Sequence, residues 1–174
     1  DRRFAFAHRR YQEALFVRYL IHHPETLSAT ELLTEDRWRE YAVTLLQISE
    51  IKDVKELLEM ASLILIERAD NQNYIICGES PLPDDLVYFD WSSEVAIRII
   101  SLLQDGLAHR SNDIPDYLST SVLKFLSPRW ERGDSWDRCE VLRLGGLLPE
   151  GKLVEYLAEA FEHGTNLEQM NAFR

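Results

Sequence analysis

The five histidines are the residues of this sequence best suited to metal binding, proton transfer or phosphate recognition. His22 and His23, with Glu25, carry metal-ligand groups, but adjacent residues of a helix point in different directions. We therefore expect this pair to interact with the last carbonyl groups of its helix. His109 and His163 also lie near predicted helix ends, where the helix dipole favours a cation.

The sequence contains no recognisable catalytic motif. A phosphate-binding Gly-x-x-x-x-Gly-Lys-Ser/Thr loop is absent, as are Gly-x-Gly-x-x-Gly, His-Glu-x-x-His, Cys-x-x-Cys and Gly-x-Ser-x-Gly. The acidic pairs Asp84/Asp85 and Glu159/Glu162 lack a basic or apolar setting that would separate their pKa values. We therefore expect no catalytic residues, no metal site and no cofactor in this chain. A helical enzyme whose active site follows no known motif is the least favoured interpretation.

His8 is the strongest candidate for a functional side chain. Phe4 and Phe6 alternate with smaller or polar residues, which predicts a short extended segment, and a helical pattern begins at His8. An imidazole can donate a hydrogen bond to a phosphate, and its charge changes near neutral pH. The alternative is that His8 only begins the helix and bonds a local carbonyl.

Aromatic and polar residues recur around His8 at defined spacings. They are Phe4, Phe6, His8, Tyr11, Gln12, Glu13, Leu15, Tyr19 and Leu20. In this order they resemble the segment that closes the winged-helix region of NACHT-type STAND NTPases. The resemblance covers about eighteen of the 174 residues. Ala14 stands where an aromatic residue is usual, and Phe16 and Val17 replace two alanines, so we expect the partner helix to pack on a shifted face.

The resemblance implies a role for the whole chain. In such proteins the histidine that matches His8 reaches the β-phosphate of bound ADP in the resting state. The chain would then be the non-catalytic C-terminal part of a signalling ATPase in innate immune or antiviral defence. Its parent would bind ADP or ATP with Mg in an upstream nucleotide-binding domain, meet a protein trigger and form homo-oligomers on activation. A free-standing HEAT-like adaptor that binds a protein partner is the alternative.

Charge is distributed unevenly along the chain. The formal net charge is −11, yet residues 1–23 carry five arginines against Asp1 and Glu13, a balance of +3. The remainder holds 14 basic and 28 acidic residues, a balance of −14. An acidic body repels nucleic-acid backbones, so we expect no DNA or RNA partner. The basic first helix suits a nucleotide phosphate or an acidic neighbouring domain, or it is a solvated face.

Cys77 and Cys139 are the only cysteines, and each lies in an apolar context. Two distant cysteines indicate core packing in a reducing compartment, which predicts a cytoplasmic protein. No run of about twenty apolar residues occurs, so we expect no membrane partner. Because the chain begins at Asp1 and its first element resembles the end of another region, we interpret it as part of a longer protein.

Apolar spacing and helix-start signals predict an all-α fold of about eight to ten helices. The predicted helix starts are the capping boxes Ser28–Glu31 and Thr165–Glu168, a similar start at Asp53–Glu56, and the cap Asp36. The predicted helices further along are Trp91–Arg110, Pro115–Pro128, Trp136–Leu144 and Pro149–Gly164. We interpret Arg129–Gly133 as a charged turn, Tyr74–Cys77 as a short helix, and residues 81–90 as an irregular segment.

The architecture we expect is an array of stacked helix pairs, a HEAT-like α-α superhelix. Trp38, Trp91 and Trp136 follow predicted helix starts at intervals of 53 and 45 residues, close to a two-helix repeat. The chain would divide into the end of a winged-helix region (1–23) and a helical sensor domain (24–174). The second half of the first helix is apolar on nearly every side, which predicts burial. Trp130 and Tyr88 are candidate surface aromatics for partner contact.

Overall fold

The described part of the chain is almost entirely helical. The computed structural model describes residues 9–71, 74–75, 88–89, 95–110 and 113–172. The α-helices in these ranges are α1 (Arg9–His22), α2 (Ala29–Thr34), α3 (Arg39–Ile48), α4 (Lys55–Asp70), α5 (Val95–Leu107), α6 (Asp116–Arg132), α7 (Ser135–Arg143), α8 (Glu150–His163) and α9 (Asn166–Ala172). Short 3-10 turns occupy Pro24–Thr26, Asp36–Trp38 and Gly145–Leu147. The predicted all-α fold is confirmed.

Most helices pack against their second neighbour along the chain. α1 lies on α3 and α3 on α5, while α2 lies on α4 and α4 on α6, so two layers of three helices face each other. α7 follows α6 and packs on α9, which also contacts α8. α1 and the α8–α9 pair therefore lie at opposite ends of the packing order. The largest fully buried apolar side chains between the layers include Leu46, Leu58, Leu65, Ile99, Ile100, Leu103, Leu118, Phe125 and Leu126.

Side-chain caps define several helix starts. The Ser28 hydroxyl accepts a bond from the Glu31 N–H at 3.2 Å, and the Glu31 carboxylate accepts one from the Ser28 N–H at 2.9 Å. The box at Thr165–Glu168 forms in the same way before α9. Asp134 and Asp137 form a further box at the start of α7, which the Ser/Thr-x-x-Glu pattern does not reveal.

The caps predicted at Asp36 and Asp53 are wrong. Asp36 begins a 3-10 turn, and its carboxylate instead accepts a hydrogen bond from Arg98 at 2.8 Å. α4 begins one residue later than the Asp53 pattern requires, after Val54, and has no side-chain cap. At Asp36 a tertiary contact therefore outweighs the local start signal.

The helix predicted to end at Pro128 continues through it. α6 extends to Arg132, so the charged turn predicted at Arg129–Gly133 is wrong. A proline inside a helix costs about 3 kcal/mol because it lacks an N–H and its ring crowds a carbonyl. Burial of the Trp130 indole, which is 3% exposed, offsets this cost. The guanidinium of Arg129, which is 1% exposed, lies over the Phe125 ring. Arg129 Nη1 also donates to the Phe125 carbonyl at 3.0 Å.

The helix predicted at Tyr74–Cys77 is also wrong for its first two residues. Tyr74–Ile75 is strand β1, and it pairs antiparallel with strand β2, Tyr88–Phe89. The partner strand β2 lies more than ten residues further along the chain than β1. A pattern of neighbouring residues therefore does not reveal the pairing. Cys77 lies outside the described residues.

A pair of hydroxyl groups lies inside the contact between α4 and α6. Ser62 is 7% exposed and Ser121 is 2% exposed. Their Oγ atoms lie 2.5 Å apart, and Ser121 also donates to the Tyr117 carbonyl at 2.8 Å. Each hydroxyl is therefore hydrogen-bonded in an otherwise apolar interface.

The prediction that α1 is buried on every side is wrong. Val17 is fully buried and Leu20 is 4% exposed, but Leu15 is 53% and Tyr19 is 49% exposed. The helix has a neighbouring layer on one side, where α3 covers it. None of the helices in the described ranges combines the length and apolarity that crossing a membrane requires.

The tryptophan repeat does not correspond to a repeated environment. Trp38 is partly buried against α1 and α3, whereas Trp136 on α7 is 60% exposed. Trp91 lies outside the described residues. The predicted boundary between residues 23 and 24 falls just after the end of α1, and the two-domain division stays a prediction.

Candidate functional site

The segment around His8 meets the described structure at the first residue of α1. His8 itself lies outside the described residues, so its nucleotide-sensing role stays a prediction. What the structure describes is the helix that follows directly, Arg9–His22. A helix of 14 residues is about 21 Å long.

An aromatic cluster holds α1 on the array. We define it as Phe16 of α1, Trp38 of the adjoining 3-10 turn and Tyr41 of α3. The Phe16 ring stacks on Trp38 with centroids 5.7 Å apart and meets Tyr41 edge-on at 4.9 Å. Trp38 and Tyr41 contact each other at 5.7 Å. Aromatic pairs of this geometry add about 0.5–1.5 kcal/mol each beyond area burial. Phe16, one of the departures from the NACHT pattern, is thus a principal contact of α1.

Trp130, one of the two candidate partner-binding aromatics, is buried. Trp130 is 3% exposed, and its indole stacks on Tyr156 with centroids 4.5 Å apart. Its Nε1 donates to the Glu159 carboxylate at 2.9 Å. The expectation that Trp130 is a surface residue is therefore wrong, because α6 continues past Pro128 and turns it inward. The side chain of Tyr88 lies outside those described.

The remaining histidines are exposed at the ends of helices. His23 contacts the Tyr19 ring with centroids 4.4 Å apart, and its Nδ1 lies 3.4 Å from the Glu25 carboxylate. His163, at the end of α8, lies 3.7 Å from Glu162. Among the described side chains, no three His, Cys, Asp or Glu residues come together as a metal-binding group.

A groove of about 690 Å³ opens between the end of α1, the start of α2 and the start of α4. Its apolar lining includes Leu20, Leu27, Leu32, Leu45, Val54 and Leu57. Four carboxylates also line it, those of Glu25, Glu31, Asp53 and Glu56, with no lysine or arginine. We call this the acidic groove. Its size is typical of a ligand pocket, but its charge repels phosphate, so its chemistry suits a cationic or amphipathic partner.

A smaller cavity of about 210 Å³ brings three arginines together, Arg39, Arg98 and Arg143. Each guanidinium already contacts a carboxylate. The pairs are Arg39–Asp105 at 2.5 Å, Arg98–Asp36 at 2.8 Å and Arg143–Glu140 at 2.5 Å. An added anion would have to compete with these carboxylates for the same guanidinium groups. The cavity is therefore a set of surface ion pairs rather than a phosphate site.

Cys139 is a core residue. It is 6% exposed on α7. Burial raises the pKa of its thiol, and the nearby Glu168 carboxylate raises it further. A thiol with a raised pKa stays protonated at neutral pH and is a poor nucleophile.

Comparison with protein-family profiles, with curated protein sequences and with solved structures gives no match for this chain. The resemblance to NACHT-type proteins therefore rests on the residues from Phe4 to Leu20, of which only those from Arg9 onward belong to a described helix.

Proposed function

We propose that this chain is the non-catalytic regulatory part of a nucleotide-switched STAND ATPase of the NACHT type, acting in innate immune or antiviral defence. The observation that supports it best is the aromatic cluster. It attaches the helix that follows His8 to the helical array, so the histidine segment and the array are mechanically joined. A sensor domain that changes the state of a nucleotide site needs a packed contact that transmits its movement.

The residues present indicate which tasks belong to this chain and which to the upstream nucleotide-binding domain. The sequence lacks a phosphate-binding loop, and the acidic groove is unsuited to phosphate. The upstream domain would therefore hold ADP or ATP with Mg, which supplies the charge that His8 detects. This chain contributes one imidazole as hydrogen-bond donor and one rigid helix behind it. A trigger that shifts α1 on α3 would withdraw that donor and favour the active, oligomeric state.

The nucleotide released on denaturing the purified full-length protein tests this proposal. We expect about one ADP per wild-type chain and a several-fold loss in His8→Ala, since a donor to a charged phosphate is removed. His22→Ala is the matched control, because His22 lies exposed at the other end of α1, and it should retain ADP. Phe16→Ala should retain ADP but change the response to trigger. Equal ADP content in the His8 and His22 variants would refute the role of His8.

The acidic groove favours a second candidate, a free-standing helical adaptor that binds a protein partner. The acidic groove combines apolar side chains with four carboxylates and has no lysine or arginine in its lining. It therefore fits a segment with apolar anchors and basic flanks. The gene separates the two candidates before any assay. A phosphate-binding loop encoded upstream of Asp1 supports the ATPase, whereas a start codon a few residues before Asp1 supports the adaptor.

A further inference from the structure

Two exposed apolar helix faces lie at opposite ends of the array. On α1, Leu15 is 53% and Tyr19 is 49% exposed, one turn apart, and Tyr11 at 70% extends the stripe. We call this the α1 face. It presents apolar side chains at positions i, i+4 and i+8, on the side of α1 opposite Val17 and Leu20, which pack into the core.

The second exposed face belongs to α8 and α9. Val154, Leu157, Ala158 and Phe161 follow the spacing i, i+3, i+4 and i+7 on the side of α8 away from the buried Tyr156. With Ala172 of α9 they line a shallow groove of about 370 Å³. Val154 is 58% exposed, and Met170 of α9 is 61% exposed. We call this the α8 face.

The two faces match in length and in charge. The ends of the α1 stripe are separated by eight residues and those of the α8 stripe by seven, which is about 12 Å and 10 Å of helix. α1 carries three arginines and one glutamate, and Arg18 is exposed beside Leu15 and Tyr19. Residues 150–172 carry one lysine and five glutamates. Of these, Glu162 lines the groove, and its side chain is 68% exposed. Glu155, two turns earlier, is 57% exposed and lies 2.7 Å from Lys152.

We propose that copies of this chain associate head to tail, with the α1 face of one copy seated on the α8 face of the next. Pairing α8 with its own copy would bring Glu155 and Glu162 against like charges, and pairing α1 with its own copy would do the same for Arg18. Only the α1–α8 combination covers both stripes and joins opposite charges. Such a contact is heterologous, so it produces open chains or rings rather than a closed dimer.

This inference does not depend on the nucleotide-linked role, and its test uses no nucleotide. The molar mass of the 174-residue chain is measured by light scattering between about 10 μM and 1 mM, a range chosen for a small and weak interface. We expect the mass to rise above the 20.3 kDa monomer with concentration. The rise should be smaller at about 500 mM salt than at about 50 mM, because salt screens the charge pairing.

Two face variants make the test specific. Leu15→Glu should disable the α1 face and Val154→Glu the α8 face, so each alone should remain monomeric. An equimolar mixture should form one 1:1 dimer and nothing larger, since one intact face of each kind remains. Leu63→Glu is the matched control, because Leu63 is 61% exposed on α4, away from both faces, and it should assemble like the wild type. Unchanged circular dichroism melts establish that the variants are folded.

Three results would overturn the proposal. They are a wild-type chain that stays monomeric at about 1 mM and low salt, a mixture of the two variants that forms no dimer, and a single variant that still dimerises. The last result would show pairing of like faces.

Discussion

Two tryptophans on consecutive helices provide the sharpest test of the packing. Trp130 is 3% exposed at the end of α6, and Trp136 is 60% exposed on α7. A buried aromatic side chain removes about 150–250 Å² from water, which at about 25 cal/mol per Å² is an upper value of about 4–6 kcal/mol. Truncation of buried tryptophan typically costs about 3–5 kcal/mol. We therefore expect Trp130→Ala to lower the free energy of unfolding by about 4 kcal/mol.

The contributions to this loss can be separated. Trp130→Phe keeps a ring against Tyr156 but removes the donor to Glu159, so we expect a smaller loss of about 1–2 kcal/mol. The Glu159 carboxylate would retain Arg138, whose Nη1 lies 3.8 Å away. Trp136→Ala should change the free energy of unfolding by no more than about 0.5 kcal/mol, as expected for a surface position.

Guanidinium unfolding followed by circular dichroism measures these differences. For a chain of this size, 4 kcal/mol corresponds to a fall of about 8–16 °C in Tm. If Trp130→Ala and Trp136→Ala lowered the free energy of unfolding by similar amounts, Trp130 would not be a core residue. The continuation of α6 through Pro128 would then be wrong as well.

Two further predictions concern helix ends. A methyl group at Gly133, after α6, would lie 2.2 Å from the Arg129 carbonyl oxygen and 2.4 Å from Asp137 Cβ, so Gly133→Ala should cost about 1–3 kcal/mol in urea unfolding. Gly151→Ala is its control, since a methyl group there meets nothing within 4 Å, and equal losses would contradict the close approach. At the start of α2, the hydrogen bonds from Ser28 hold the pKa of the Glu31 carboxyl below its usual value of 4.5. A lowered folded-state pKa stabilises the fold above pH 4.5, and this stability is lost as the pH falls through the folded-state value. Glu31→Gln should therefore flatten the acid side of the stability–pH curve, whereas an unchanged curve would exclude the capping box as its source.

The sequence was sufficient for features that depend on neighbouring residues. The boxes at Ser28–Glu31 and Thr165–Glu168, and the end of α8 before Gly164, follow from side chains three or four positions apart. These signals act within one turn of helix, so they remain valid whatever packs on the helix. The all-α fold follows in the same way from apolar spacing that recurs along the chain.

Features set by distant contacts could not be predicted in this way. Pro128 is a helix-ending signal locally, but burial of the Trp130 indole offsets it. The composition of α1 predicts burial all round, yet only the neighbours decide which side is covered. The acidic groove is likewise assembled from α1, α2, α3 and α4, whose lining residues are separated in sequence. No single stretch of sequence contains its pattern.

The hydroxyl pair between α4 and α6 affects which alignment of the two helices is stable. A slide of α4 along α6 by one helical turn, about 5.4 Å, would return nearly the same side of each helix to the contact. Such a slide would separate Ser62 from Ser121, whose Oγ atoms lie 2.5 Å apart in the native alignment. Ser121 would keep its bond to the Tyr117 carbonyl of its own helix, but Ser62 would lose its partner. A buried hydroxyl without a partner costs about 1–3 kcal/mol. The hydroxyl pair thus favours the native register of α4 and α6 over the register displaced by one helical turn.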